Sequence, residues 1–229
     1  MYSPPLTKTN KLIIIVCSAF FILGFISTRF LGFSIAKYFS LSLWGIKSGL
    51  IFQFLSYIFV STGIMSFIFS MLLIWFLGGE LENNWGAKFY QKFLAVTVLA
   101  TGLFFLLLNL LVPSMGAVSL MGIDSLCYAL LVGYALIFPD RELLFMFLFP
   151  VKAKYFCILL GLIQFFNAMS NFGQASAWAQ VFALVFAFAY LLYLSKKARG
   201  ERLFPKKTKK KKPHLKIVKD EDSSPKYWH

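Results

Sequence analysis

The chain has 229 residues, of which 59% are apolar and 28 are phenylalanine, and it carries a formal net charge of +14. Its uncharged runs repeatedly approach the roughly 20 residues that an α-helix needs to cross about 30 Å of hydrocarbon. This composition excludes an ordinary soluble domain and predicts an all-α, polytopic membrane protein.

Six runs are predicted as transmembrane helices. They cover residues 12–28, 49–77, 93–112, 117–138, 155–169 and 175–194. Residues 143–149 are also apolar, but this run is too short to span a bilayer and is followed by Pro150. We therefore expect it in an interfacial loop. The predicted architecture is a six-helix membrane domain formed by residues 1–195.

The basic residues are distributed unevenly between alternate loops. If the N-terminus, the second and fourth loops and the C-terminal tail share one side, that side holds 20 of the 23 Lys and Arg residues. Cytoplasmic loops carry such an excess, so both termini are predicted to be cytoplasmic. Cys17, Cys127 and Cys157 lie in or near the spans without metal-ligand spacing. They indicate no disulfide framework, and no metal or other cofactor is expected.

Residues 196–229 differ in composition from the rest of the chain and are predicted to form a disordered cytoplasmic tail. Six of its 13 basic residues form one lysine cluster, made up of Lys206, Lys207, Lys209, Lys210, Lys211 and Lys212. Like charges at this density repel one another and stay unfolded. We expect the cluster to contact anionic lipid headgroups. Nucleic-acid binding is the less favoured alternative, because few aromatic or arginine residues are interleaved with the lysines.

Several motifs occur in a fixed order along residues 50–195. They are Gly78, Glu82 and Gly86 at four-residue spacing, the window Gly122-Ile123-Asp124-Ser125, the loop Phe138-Pro139-Asp140-Arg141, the segment Phe149-Pro150-Val151-Lys152-Ala153-Lys154-Tyr155, and a final span rich in small residues. In order and spacing this set resembles the rhomboid intramembrane serine proteases. The resemblance implies a six-helix bundle. It also implies a structural role for Glu82, which in that family ties the segment after the second span to its neighbours.

The positions that carry rhomboid chemistry have changed in this chain. Asp124 stands where the family has its nucleophilic serine, and Gln180 stands where it has its histidine base. Ser61, Ser66 and Ser70 occupy the oxyanion-binding and supporting positions. A carboxylate cannot replace the attacking hydroxyl, and an amide has no usable basicity near neutral pH. The sequence therefore predicts a pseudoprotease rather than an enzyme.

The histidine inventory supports this prediction without any alignment. His214 and His229 are the two histidines of the chain, and both belong to the tail. A serine–histidine hydrolase within the membrane is thereby excluded. An unconventional peptidase using Ser125 is one alternative, a transporter with Asp124 on an ion path is another, and a structural subunit of a membrane complex is a third.

Asp124 is the residue on which the functional interpretation depends. A carboxyl group in a span is costly, and such groups usually face the bundle interior or a water-filled cavity. In one interpretation Asp124 binds a partner or senses protons. In the other it fills a vestigial polar pocket, either protonated or bonded to Gln180 and the neighbouring serines. The serines themselves have a simpler alternative role, as small residues that let helices approach closely. We predict a pseudoprotease of a bacterial cytoplasmic membrane that binds transmembrane segments of client proteins. These segments are expected to enter laterally between the second and fifth spans.

Overall fold

A computed structural model describes residues 7–30, 32–61, 63–112, 119–145 and 149–197. The predicted tail, apart from the end of the last helix, lies outside these residues, and so do the six lysines of its cluster. The described helices are α1 (Lys8–Phe30), α2 (Ala36–Phe39), α3 (Leu43–Lys47), α4 (Gln53–Ser56), α5 (Ile64–Leu73), α6 (Gly79–Trp85), α7 (Ala87–Leu111), α8 (Asp124–Ile137), α9 (Ala153–Ser170) and α10 (Ala175–Lys197). The described strands are β1 (Glu142–Phe145) and β2 (Phe149–Lys152).

Five of the described helices are long and apolar enough to cross a membrane. They are α1, the continuous helix Ile64–Trp85, α7, α9 and α10. In Ile64–Trp85, a π-helical turn (Ile74–Gly78) joins α5 to α6. The prediction of an all-α polytopic membrane protein is confirmed. The fourth predicted span contains the shorter helix α8, with 14 residues, which reaches about 21 Å at 1.5 Å per residue. The count of six full spans is not confirmed.

The second span begins later than predicted. The sequence placed its start at residue 49, whereas the spanning helix begins at Ile64 and residues 49–60 form α4 and a 3₁₀ turn (Tyr57–Phe59). Gln53 is buried, donates from Nε2 to the Tyr38 carbonyl at 2.9 Å and accepts from the Ser42 backbone amide. An amide that bonds the backbone in this way stabilises an irregular segment where unpaired groups are costly.

Helix α8 lies at the centre of the bundle. It packs against α10, α7 and α9 and also touches α5, and ten of its 14 residues are buried. Helix α10 approaches it with small side chains at four-residue spacing: Ala175, Ala179, Ala183 and Ala187 are fully buried. Small residues at this spacing allow close helix contact in membranes, as the sequence predicted for the final span.

The apolar run before Pro150 takes part in an antiparallel hairpin rather than in a simple loop. Strand β1 pairs with β2 from Glu142 opposite Lys152 to Phe145 opposite Phe149. The sequence did not indicate this strand pairing, and the interfacial location of the connection stays a prediction. Phe145, Phe149 and Val151 are of residue types that are enriched in strands, and the hairpin lies between α8 and α9 in the chain.

Candidate binding cavity

Asp124 is the first residue of α8 and is held there by the loop before it. Gly122 has a φ of +104°, a conformation that glycine adopts without strain. Its backbone amide donates to the Tyr57 carbonyl at 3.0 Å. The Tyr57 hydroxyl donates in turn to the carbonyl of Val98 on α7 at 3.0 Å. These contacts fix the start of α8 against two other parts of the bundle and so fix the position of the Asp124 carboxylate.

Two of the three predicted serines face this carboxylate. Ser66 and Ser70 lie one turn apart on α5, and their hydroxyls donate to Oδ1 of Asp124 at 3.4 and 3.3 Å. Ser70 is buried and Ser66 is exposed. Ser61 does not join them, because it precedes α5 in a non-helical segment. The structure therefore brings Asp124, Ser66 and Ser70 together across the α5–α8 contact and leaves Ser61 out.

A cavity of about 210 Å³ opens beside this group. It lies between α5, α8 and α9, and its lining residues are Ser66, Phe69, Ser70, Leu73, Asp124, Cys127, Tyr128, Leu131 and Leu160. Most of the lining is apolar, and the polar atoms are concentrated on Asp124, the two serines and Tyr128. A mainly apolar cavity with a few convergent polar groups is the usual form of a binding site.

Gln180 forms a different contact from the one that the sequence suggested. Its Oε1 accepts a 2.5 Å hydrogen bond from Nε2 of Gln164 on α9. The Tyr128 hydroxyl of α8 donates to Oε1 of the same Gln164 at 3.1 Å. No Asp124–Gln180 hydrogen bond is present within the described part of the chain. Gln180 thus links α10 to α9 and, through Gln164 and Tyr128, to the cavity wall.

The sequence interpretation missed Tyr128 and Gln164. Gln164 is 4% exposed, in a largely apolar helix, and a buried amide in a span needs a partner. That signal was available in the sequence, since Gln164 is the only strongly polar residue in the middle of the fifth predicted span. The hydrogen-bond partners of Gln164 could not be inferred from the sequence, because they depend on the relative rotation of three helices.

Glu82 connects α6 to the start of α1. The hydroxyl of Thr9 donates to its Oε1 at 2.6 Å, and the neighbouring Asn10 accepts from the Tyr90 hydroxyl at 2.7 Å. Gly78 is required by the same contact, since a Cβ there would lie 2.5 Å from Tyr90 Oη. Gly86 ends α6 with a φ of +80°. The geometry of the three-residue element agrees with the structural role expected for Glu82.

A second polar contact fixes the loop after α8. Arg141 forms an ion pair with Glu80 of α6, and the Tyr134 hydroxyl donates to the same Glu80 oxygen at 3.0 Å. The guanidinium also lies 4.8 Å from the ring centre of Phe138. Its hydrogen bond with Tyr134 and the negative charge of Glu80 raise the pKa of Arg141. Glu80 was not singled out in the sequence, although it is the acidic partner of the Phe-Pro-Asp-Arg loop.

These contacts place several basic segments at one end of the bundle. Thr9 of α1 bonds both Glu82 and Gln91, and Arg141 bonds Glu80. The N-terminus of α1, the α6–α7 connection and the loop after α8 therefore lie together. This is the grouping that the positive-inside count assumed. That this end faces the cytoplasm remains a prediction.

No histidine or lysine is among the residues that line the cavity. Its polar side chains are one carboxylate, two hydroxyls and a phenol. Ser125, the alternative nucleophile, is 2% exposed and does not line the cavity. Within the described residues, no three His, Cys, Asp or Glu side chains form a group that could hold a metal ion. The polar side chains of the cavity can accept hydrogen bonds from a bound segment and donate hydrogen bonds to it.

The fold and cavity define a polytopic, all-α integral membrane protein. Residues 11–227 match the family described as "Eukaryotic integral membrane protein (DUF1751)", and the chain belongs to that family. No curated protein gives a significant match. The family description supports the membrane assignment and refers to eukaryotes, so it gives no support to the expectation of a bacterial membrane.

Proposed function

We propose that this protein is a rhomboid-like pseudoprotease that binds transmembrane segments of other membrane proteins without cleaving them. The observation that carries the proposal is the cavity between α5, α8 and α9, in which Ser66, Ser70 and Asp124 converge. An ionisable side chain within a membrane span costs free energy, and such side chains usually mark functional sites. A cavity of this kind offers hydrogen bonds to polar or unwound backbone of a second transmembrane segment, where unpaired groups cost several kcal/mol.

Lateral access from the membrane is supported by the helices on either side of the cavity. Helices α5 and α9 each pack on α8, but within the described structure they make no extensive contact with each other. Phe69 on the cavity wall is 44% exposed, and the outer face of α9 consists of exposed apolar residues. A client helix could therefore reach the polar group from the lipid between α5 and α9, which correspond to the second and fifth predicted spans.

Binding without cleavage is supported by the chemistry of the same residues. The nucleophile position holds a carboxylate that is occupied by two serine hydroxyls. The base position holds Gln180, which is engaged by Gln164. In this proposal the old catalytic cavity serves for recognition, both termini lie in the cytoplasm of a eukaryotic cell, and the lysine cluster of the tail contacts anionic lipid.

Site-specific photo-crosslinking tests the proposal. A photoreactive residue at Phe69 should capture a membrane protein in cells. The same residue at Phe188 on α10 is the matched control, because Phe188 is also a lipid-facing phenylalanine, 47% exposed against 44% for Phe69. A set of single-span proteins captured at Phe69 and absent at Phe188 is expected. Equal capture at both positions would reject the cavity as a binding site, and one stoichiometric partner at both would favour a structural subunit.

A further inference from the structure

We infer that the transmembrane segment taken up by this cavity carries a basic residue, Lys or Arg, whose charged group pairs with Asp124. The inference rests on the proposed function and names the chemistry of its client. The argument depends on the charge balance of the cavity, on the free side of the carboxylate and on the size of the space.

Among the residues that the structure describes, no cationic side chain pairs with Asp124. The ion pairs of the described residues are Arg141 with Glu80 and Lys154 with Asp140. Asp124 is the single acidic or basic residue among those that line the cavity, and its hydrogen-bond partners are neutral hydroxyls. Ionisable residues within membranes usually pair with one another. A basic group supplied by a second protein would complete the pair.

One side of the carboxylate remains available for such a group. Ser66 and Ser70 both donate to Oδ1, and Oδ2 accepts no hydrogen bond from any residue in the described ranges. Oδ2 lies beside Gly122, where a Cβ would be only 3.1 Å away from it. An ionised carboxylate has about four lone-pair sites. The hydrogen bonds from the two serines therefore leave lone-pair sites of the carboxylate for further donors. An ammonium or guanidinium group has several N–H donors.

The cavity has the size of a side chain rather than of a free ligand or a whole helix. Its volume of about 210 Å³ exceeds the ~150 Å³ that accommodates a benzene-sized molecule. It lies below the ~300 Å³ at which small-ligand pockets usually begin. A long basic side chain can place its methylene groups against Leu73, Leu131 and Leu160 and its charged end at Asp124, as Lys and Arg do at other apolar–polar boundaries.

Capture of defined test segments by the full-length protein in vesicles distinguishes this inference from its alternatives. The protein carries the photoreactive residue at Phe69. The segments are single Leu/Ala helices that differ only in one central residue, which is Lys, Glu or Leu, and capture is normalised to the amount inserted. The Lys segment should be captured about three- to tenfold more efficiently than the Leu segment, the range expected from polar contacts between membrane helices. The Glu segment should be captured no better than the Leu segment.

Two isosteric variants test whether Asp124 causes the preference for the Lys segment. Asp124→Asn should abolish the advantage of the Lys segment. Glu142→Gln makes the same chemical change at an exposed site in β1 and should leave the advantage intact. If Asp124→Asn does not accumulate, the comparison of Lys, Glu and Leu segments on the unmodified chain decides the question.

The possible failures separate the two claims. Equal capture of all three segments, or a Lys preference unchanged in Asp124→Asn, would overturn the basic-residue inference while leaving segment binding in place. Capture at Phe69 no greater than at Phe188 for every segment would overturn both.

Discussion

Gln164 on α9 and Gln180 on α10 form a direct side-chain hydrogen bond, with 2.5 Å between Nε2 and Oε1. Tyr128 of α8 donates to the same Gln164, so three helices are joined through one buried amide. Gln180 therefore connects α10 to α9, and its substitution should affect helix packing.

Replacing either glutamine should destabilise the bundle in a coupled manner. Gln164→Leu and Gln180→Leu should each lower the free energy of unfolding, and the double variant should lose less than the sum of the two. In double-mutant cycles, hydrogen bonds between membrane helices contribute about 0.6 kcal/mol on average, with a maximum near 1.7 kcal/mol. Unfolding in mixed detergent micelles measures the coupling. Gln174→Leu, at an exposed position before α10, is the control and should show no coupling with Gln164→Leu.

Gly78 should be far less tolerant of a methyl group than Gly24. A Cβ at Gly78 would lie 2.5 Å from Tyr90 Oη and 2.9 Å from Asn10 Oδ1, whereas at Gly24 no atom lies within 4 Å. Overpacking of this kind typically costs about 1–3 kcal/mol. Gly78→Ala should therefore lower the unfolding free energy and the melting temperature. Gly24→Ala should be neutral or slightly stabilising, because alanine favours the helix by about 0.5–1 kcal/mol. Equal effects would refute the close approach of α1 to α6 and α7.

Restoring the two dyad residues should not restore proteolysis. The double variant Asp124→Ser with Gln180→His supplies a hydroxyl and an imidazole, but position 180 faces Gln164 rather than position 124 in this structure. The oxyanion positions also hold short serines, and loss of one oxyanion donor costs about 10²–10³ in rate. Cleavage of a fluorogenic transmembrane substrate and labelling by a fluorophosphonate probe should both stay at background. Turnover that depends on both new residues would show that the catalytic geometry is intact.

The tail should bind anionic membranes through charge alone. A peptide of residues 196–229 should bind vesicles containing phosphatidylserine and release them as salt shortens the Debye length from about 10 Å at 0.1 M to about 3 Å at 1 M. Replacing the six clustered lysines by glutamine should abolish binding in co-sedimentation. Binding that persists at high salt would instead implicate the terminal aromatic pair, Tyr227 and Trp228.

The sequence predicted most of the spanning helices because transmembrane length and apolar composition leave few alternatives. It erred at residues 49–60, where an apolar run is folded into short helices. Gln53 of this segment bonds the backbone of Tyr38 and Ser42 in the preceding part of the chain. A hydropathy profile contains no information about such hydrogen bonds. The sequence prediction also started the fourth span at residue 117, whereas the described residues 119–123 are not helical and α8 begins at Asp124.

The site was predictable only in part. The positions of Asp124, Ser66 and Ser70 followed from the order of motifs, and the structure brings them together. The exclusion of Ser61 and the pairing of Gln180 with Gln164 could not be inferred, because both depend on where α5 begins and on how α9 and α10 are rotated. Neither property is encoded in a local pattern of residues.

The shortness of α8 has a consequence for biosynthesis. Non-helical backbone before Asp124 must be paired by earlier parts of the chain, and it is: Leu120 forms a β-bridge with Leu41, and the Gly122 amide donates to the Tyr57 carbonyl. A 14-residue helix that starts with a carboxylate is a poor membrane-insertion signal on its own. Helix α8 should therefore depend on the segment between α1 and α5 for stable insertion, so errors in that segment would leave the centre of the bundle outside the bilayer during synthesis.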